Sequence, residues 1–346
     1  MAETMAGTMA GTRIEPKAEW RQADFADPAR FTEILSSSEQ DEIAAAVAHA
    51  AAMSNNMLEI GKDDFPLPTL APRMKRIEDE LINGRGFVLI RGLPRDRFSN
   101  DEMCLAYWGL GMHLGKPWPQ NHKGHMLGDV TDQGKAEDDP TARGNELGGM
   151  ALPFHTDGSD LVGLMCLENG IEGGESVICN SVALYNQLMT EDAEMAEELF
   201  NPQPYDFRGE QQAGGKPYYE MPVFTKWDER LFVRYIRPYI LASQRHDSAP
   251  RISEKAEAAM QRLDALSLDP QYQVEMMLQP GDMQFINNYH VLHGRKAYAD
   301  DRAQGKVRHL KRLWLETETL QDRPPYFVNN LADNWGAQKV ISRLDA

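Results

Sequence analysis

Between Lys116 and Leu315 the apolar residues come in short runs, each cut off by Gly, Pro or Asn, and this rhythm constrains the fold more than any other feature. The runs are Val162 to Leu167, Ser176 to Cys179, Tyr218 to Phe224, Leu231 to Ile236, Val274 to Leu278, Met283 to Ile286 and Val307 to Leu315. Many short strands separated by regular turns build a sandwich, a jelly roll or a barrel. Two longer stretches, Leu184 to Phe200 and Ile252 to Leu266, carry the helical period and are expected to be helices set between strands.

The chain before Lys116 reads differently. Ile43, Ala46, Val47 and Ala50 repeat at helical spacing behind serine and acidic capping residues, which predicts a helix from about Ser38; Met53, Met57 and Ile60 extend its stripe. Met74, Ile77 and Leu81 predict a second helix, with Pro72 near its start and Gly84 just past its end. Phe87 to Ile90 reads as a buried strand, and Ser99 with Glu102 resembles a capping box that opens a third helix through Tyr107 and Leu110. No long repeat, coiled coil or Gly/Ser linker divides the chain. The expected organisation is a flexible N-terminal tail over 1–20 and one domain over 21–346. Within it, 21–115 is helical support, 116–318 a β core with helical insertions, and 319–346 a tail that wraps the surface.

Three elements could carry chemistry: His155-Thr156-Asp157, then Gly173-Gly174-Glu175-Ser176, and finally Pro280-Gly281-Asp282 leading through a strand to His293, with Arg308 and Arg312 behind it. Each alone is weak, since an isolated His-x-Asp is more often structural or solvated than a ligand pair. In this order they reinforce one another. Residues i and i+2 of an extended segment point to the same side, so His155 and Asp157 can face one metal, and a distant histidine closes the triangle. Two imidazoles and one carboxylate on one face leave the other positions open, the arrangement of Fe(II) centres that activate O2. A closed zinc site would want a fourth ligand, and none is obvious. His122 with His125, and His290 with His293, are spaced i and i+3, so on a strand only one of each pair can face the centre. His290 reads as a supporting or core residue. Gln120, Asn121, His122 and His125 either line a substrate mouth or form a solvated loop.

Together these residues resemble the taurine dioxygenase/TfdA superfamily of Fe(II)/2-oxoglutarate oxygenases, over about Gly84 to Glu316. The likeness is carried by His155-Thr156-Asp157, by Gly173-Gly174-Glu175-Ser176, and by Gly281-Asp282 running to Leu292-His293-Gly294-Arg295. It implies a mainly β fold with flanking helices, a double-stranded β-helix of the jelly-roll, cupin-like kind, with metal ligands His155, Asp157 and His293 at its open mouth. Ser176 matches the hydroxyl that helps hold 2-oxoglutarate, and Arg308 the arginine that pairs with its distal carboxylate. A guanidinium suits a buried carboxylate because its planar fork donates two parallel hydrogen bonds. Arg312, at i+4 on the same strand face, matches a position that binds an anionic group of the substrate, and the roles of the two arginines are open to exchange. Asn121 and His125 are the further candidates for substrate contact.

The implied reaction consumes Fe(II)-bound 2-oxoglutarate and O2, releases succinate and CO2, and oxidises an unactivated C–H bond of a small carboxylate-bearing substrate. A free amino acid of specialised metabolism is the first candidate, and hydroxylation, desaturation and oxidative cyclisation all remain open. Two competitors stand beside this reading: a cupin-like metal-dependent hydrolase or isomerase, and a catalytically inactive ligand-binding barrel. Composition narrows the partners. Lys+Arg of 36 against Asp+Glu of 53 gives a net charge of -17 with no basic stripe, which argues against nucleic acid. No apolar run is long enough to cross a bilayer. The segment Met1 to Thr12 lacks the features of a secretory signal, and three cysteines without metal-type spacing suit a reducing compartment, so a cytoplasmic enzyme is expected. A homo-oligomer is left open.

Overall fold

The structure is a computed structural model that describes residues 13–14, 19–121, 123–135, 144, 146–211, 213–320, 322–324 and 340–341. The chain opens with β1 (Thr32–Ile34), α1 (Ser37–Met53), α2 (Ala71–Asn83), β2 (Phe87–Arg91) and α3 (Asn100–Met112). Reciprocal capping boxes start two of these helices: Ser36 with Glu39 at α1, and Ser99 with Glu102 at α3. Each satisfies amide groups that the first helical turn leaves without partners. Pro72 sits in the first turn of α2 and Gly84 closes it. The stripe expected to continue through Met57 and Ile60 does not: α1 stops at Met53, which is exposed, and Met57 falls in a separate 3-10 turn. The polar stretch Ser54-Asn55-Asn56 ends the helix, because the Asn56 side chain accepts from Leu58 N instead of yielding to helical bonding.

There follow β3 (Lys116–Trp118), β4 (His125–Val130), β5 (Leu152–His155), β6 (Leu161–Glu168), β7 (Glu172–Gly173), β8 (Ser176–Asn180), α4 (Ser181–Glu191) and α5 (Ala193–Glu198). Then come β9 (Pro202–Asp206), β10 (Tyr218–Pro222), β11 (Phe224–Trp227), β12 (Arg230–Val233), α6 (Arg237–Ser243) and α7 (Glu254–Ser267). The chain closes with β13 (Gln273–Met276), β14 (Met283–Asn287), β15 (Val291–Arg295), β16 (Tyr298–Ala299), β17 (His309–Glu316) and β18 (Val340–Ile341). The larger sheet has the order β1-β2-β14-β6-β17-β4-β18, with β3 also on β17, and the smaller sheet the order β13-β8-β15-β5.

Two apolar layers hold these sheets. Val130, Val162, Cys166, Ile286 and Leu310 of the larger sheet meet Ile178, Val274, Met276 and Val291 of the smaller one. On the outer faces, Leu127, Met165, Phe285, Leu313 and Leu315 pack with Tyr107 and Leu110 of α3, while Val177 and Cys179 belong to the same cluster as residues of α4 and α7. The strand period explains the division: on β17, Leu313 and Leu315 turn to the helices while Leu310, Arg312 and Trp314 turn inward. This double sheet with helices outside is the double-stranded β-helix.

Several boundaries differ from expectation. The Leu184 to Phe200 stretch is two helices, because Asp192 adopts extended backbone and caps α5 by accepting from Met195 N. The run Tyr218 to Phe224 is divided at Val223 between two hairpins, β9–β10 and β11–β12. The helical support over 21–115 also supplies β1 and β2 to the larger sheet. Within the supposed tail over 1–20, Ile14 is buried and bonded both ways to Asn186, and the Trp20 indole donates to Arg85 O. At the other end Arg323 forms a 2.6 Å ion pair with buried Asp160, and β18 pairs with β4; most of 325–346 lies outside the described residues. All three cysteines are buried and outside any disulfide among the described residues. Among the described residues no helix is long and apolar enough to cross a membrane.

Candidate metal centre

The two histidines face each other across neighbouring strands. β5 and β15 run antiparallel with His155 and His293 in direct register, and the ring centroids are 4.2 Å apart. Asp157 follows His155 by two residues, on the same side by the strand period. The chain there is kept extended by Tyr235, whose N–H donates to Thr156 Oγ1 (2.9 Å) and whose carbonyl accepts from Thr156 N (2.8 Å). Asn288 adds three bonds, accepting from Asp157 N (2.7 Å) and donating to Asp157 O (2.9 Å) and Ser159 O (2.7 Å). Nε2 of His155 and Nε2 of His293 consequently lie 4.0 and 3.8 Å from the Asp157 carboxylate. One ligand atom from each of the three residues lies within 4.8 Å of the other two.

The protonation states suit a metal. His155 Nδ1 bonds Pro153 O at 2.8 Å, which puts the proton on Nδ1 and leaves the Nε2 lone pair facing Asp157. Burial lowers the pKa of both imidazoles, that of His293 to about 3 with the neighbouring His155 adding to the effect, so both are neutral at pH 7. Burial raises the Asp157 carboxyl, but Arg312, the two histidines and the Trp314 indole outweigh it and hold the group well below the usual carboxylate range. Arg312 Nη1 lies 3.1 and 3.3 Å from the two Asp157 oxygens, and Trp314 Nε1 donates to Oδ2 at 2.9 Å. Two neutral imidazoles and one carboxylate, gathered on one wall of a cavity of about 460 Å³, fit an Fe(II) ion that keeps open positions toward the cavity.

A second cluster lies beside the triad. β8 and β15 pair so that Arg295 stands opposite Ser176, two residues beyond His293 and on its face. Ser176 Oγ donates to Gln284 Oε1 at 2.7 Å, and Arg308 Nη2 donates to Gly174 O at 3.1 Å. Arg295 and Arg308 lie over the Tyr298 ring at 4.6 and 5.3 Å. Arg308 Nη1 and Arg295 Nε and Nη1 are buried without a hydrogen-bond acceptor, and neither guanidinium has an ion pair among the described residues. Burial, with the like charge of Arg295, pushes Arg308 down to about 10, so it remains charged at pH 7. Unmet guanidinium donors next to a metal triad fit the distal carboxylate of 2-oxoglutarate.

The Gly-Gly turn shapes this cluster. Gly173 and Gly174 both occupy the left-handed region, at φ 72 and 83, and a Cβ on Gly174 would lie 2.7 Å from Arg308 Nε. Gly174→Ala is therefore expected to strain the turn and displace Arg308, weakening 2-oxoglutarate binding about tenfold while iron affinity stays within about twofold. Calorimetric titration of each ligand checks this, and an unchanged affinity for 2-oxoglutarate would contradict it.

Of the remaining expected residues, Arg312 reaches the cavity from β17 and Ser176 and Arg308 line the same cavity. Asn121 and His125 are not among the described residues that line it. Asn121 Oδ1 accepts from the amides of Lys123 (3.1 Å) and His125 (3.3 Å), and its Nδ2 lies 3.2 Å from His125 Nδ1, so the turn before β4 uses these side chains on itself. Gln120 is the residue of that turn that reaches the site, accepting from Arg312 Nε at 2.9 Å. His122 lies outside the described residues. His290 sits in the turn before β15 with its Nε2 3.1 Å from Asn180 Nδ2, apart from the triad. Sequence reasoning missed roles for Arg295, Arg234, Trp314 and Asn288. Arg295 and Trp314 were signalled by the i+2 spacing from His293 and Arg312, and Arg234 by a charge inside an apolar run.

A metal face open on one side, with carboxylate-binding donors waiting next to it, makes this chain a non-haem Fe(II)/2-oxoglutarate-dependent dioxygenase. Residues 49–314 match the family profile described as taurine catabolism dioxygenase TauD, TfdA family, and the chain belongs to that family. It is similar to FR-33289 synthase of Streptomyces rubellomurinus, 27% identical over 314 residues that cover 90% of this chain and 92% of that protein. It is also similar to the L-ornithine/L-arginine 3-hydroxylase of Catenulispora acidiphila, 29% identical over 63% of this chain and 67% of that protein. Among solved structures, asparagine oxygenase in complex with Fe(II), 2S,3S-3-hydroxyasparagine and succinate shares the fold, with a TM-score of 0.65 at 18% identity over 87% of this chain and 98% of that one.

Proposed function

We propose that His155, Asp157 and His293 hold the iron, that Ser176 and Arg308 hold 2-oxoglutarate with Arg295 beside them, and that Arg312 receives an anionic group of a small carboxylate-bearing substrate. A free amino acid is the first candidate, in keeping with the substrates named for the hydroxylases to which the chain is similar. The observation that carries this reading is the opening of the His155-Asp157-His293 triad, Arg308 and Arg312 onto one cavity. With O2, bound iron and 2-oxoglutarate supply an oxidant able to remove hydrogen from an unactivated C–H bond, releasing succinate and CO2. The protein's residues position and shield. Arg312 and Trp314 keep the Asp157 carboxylate ionised and oriented, Pro153 sets the His155 tautomer, and the walls Val130, Leu164 and Leu310 exclude water from the reacting carbon. Whether hydroxylation, desaturation or cyclisation results depends on how the substrate is held.

The unit that acts is one catalytic domain over 21–346 with Ile14 and Trp20 packed into it, in the cytoplasm, where buried thiols persist, and without nucleic acid or membrane as partner. The test is an anaerobic titration with Fe(II) and 2-oxoglutarate. A weak visible charge-transfer band is expected to saturate at one equivalent, and addition of O2 with substrate should release succinate. Zn²⁺ should occupy the site and give neither band nor product. Full activity with zinc and no dependence on 2-oxoglutarate would favour a hydrolase instead.

A further inference from the structure

Arg295 and Arg308 answer the cosubstrate, yet the cavity wall carries three more guanidinium groups, those of Arg208, Arg234 and Arg312. Arg234 is only 6% exposed and forms no ion pair among the described residues. Its Nη1 donates to the Asp157 main-chain carbonyl and its Nη2 to Tyr219 Oη at 3.1 Å, both neutral oxygens. Burying a full charge against neutral acceptors alone is costly, and such cations are normally matched by an anion. The wall does not supply one. Asp157 belongs to the metal triad, and Asp206 is paired with Arg245 at 2.7 Å and His246 at 3.2 Å. Arg312 is already paired with Asp157, and no wall acid among the described residues forms an ion pair with Arg234.

The pair is also built to stay in place. Tyr235, next in the chain, exchanges two hydrogen bonds with Thr156, so Arg234 is tied to the segment that carries the metal ligands. Tyr219 stacks on Tyr205 with centroids 5.1 Å apart and planes at 13°, and Tyr205 Oη donates back to Arg234 O at 2.5 Å. We propose that Arg234 and Tyr219 form a second oxyanion subsite, so that the substrate carries two acidic groups, one at Arg312 and one here. Building on the reading of this cavity as the substrate site, the inference makes basic amino acids poor substrates, because the buried Arg234 guanidinium repels a side-chain cation.

The experiment uses the anaerobic protein loaded with Fe(II) and 2-oxoglutarate, so that the cosubstrate pocket is filled, and measures binding by calorimetry while the visible band is followed. The probes are propionate with one acidic group, 3-phosphonopropionate and 3-sulfopropionate with two, and L-ornithine. The two-acid probes should bind at least about 30-fold tighter than propionate, as expected for a charged hydrogen-bonded pair. Ornithine should not compete, and the better of phosphonate and sulfonate identifies the oxyanion preferred. In Arg234→Gln the advantage of the second acid should fall to within about threefold while propionate and the band are retained. Tyr219→Phe, which removes one hydroxyl, should cut the advantage about fivefold and serves if Arg234→Gln fails to fold. Equal binding of one-acid and two-acid probes, or an advantage that survives both substitutions, overturns the subsite. Absence of the band in the unaltered protein overturns the oxygenase reading and the subsite with it.

Discussion

His293→Ala is expected to leave a folded protein that binds Fe(II) more than about 100-fold more weakly and releases no succinate in response to substrate. Loss of groups that merely orient ligands already costs about 10–100-fold in metal affinity, and loss of a ligand costs more. The substitution is a clean one, because the imidazole faces the cavity and its Nδ1 has no hydrogen-bond partner to strand among the described residues. Asp157→Ala is less clean: it would deprive Arg312 of its carboxylate and Trp314 of its acceptor, so stability would fall together with metal binding. Iron stoichiometry, succinate release and a thermal melt, run together on His293→Ala and His290→Ala, decide the assignment. His290→Ala should keep its iron. If it lost iron while His293→Ala did not, the ligand set would be wrong.

The second large effect belongs to Arg308. Removing one partner of a buried charged pair costs about 2–5 kcal/mol, and at about 1.4 kcal/mol per decade the lower bound is a roughly 30-fold weaker hold. Arg308→Leu should therefore raise the KM for 2-oxoglutarate by at least that factor, with part of the rate restored at high cosubstrate. In the free protein the charge is present below about pH 10 and lost above it, so binding of 2-oxoglutarate should also weaken through that range. Arg312→Leu is the control. Because Arg312 also pairs with Asp157, iron affinity should fall about 10-fold or more; at saturating iron the KM for 2-oxoglutarate should stay near normal while substrate binding falls and more 2-oxoglutarate is consumed without product. Measuring succinate formed and substrate consumed side by side exposes an exchange of roles, and no effect from either substitution would remove this strand from the ligand sites.

The site was legible where chemistry follows strand period. His155 and Asp157 lie two apart, and Arg308, Arg312 and the inward Leu310 and Trp314 all fall on even positions of one strand face. What could not be read was pairing across the chain. That Arg295 meets Ser176 depends on the β8–β15 register, and that Arg234 touches Asp157 depends on a contact 77 residues apart. Asn121 and His125 were candidates because they precede the metal motif; that position did not reveal that the Asn121 side chain accepts from two amides of its own turn. In the fold, the helices before Lys116 were readable from caps and apolar stripes. β9 was hidden because Pro202 and Pro204 argue against a strand, and they are tolerated since β9 pairs on one side only, with β10. The break at Asp192 was available as an N-cap signal inside an otherwise continuous helical period.

The burial of the cysteines bears on how long such an enzyme survives its own chemistry. An enzyme that activates O2 works beside oxidants, and a cysteine is susceptible to them according to its thiolate character and exposure. Burial pushes the Cys166 thiol up to about 12 and raises that of Cys179 too, and their Sγ atoms already face Asn169 Oδ1 and the Ser267 carbonyl. Cys166 belongs to the apolar layer between the sheets, where burial keeps its sulfur protonated and so holds down its reactivity.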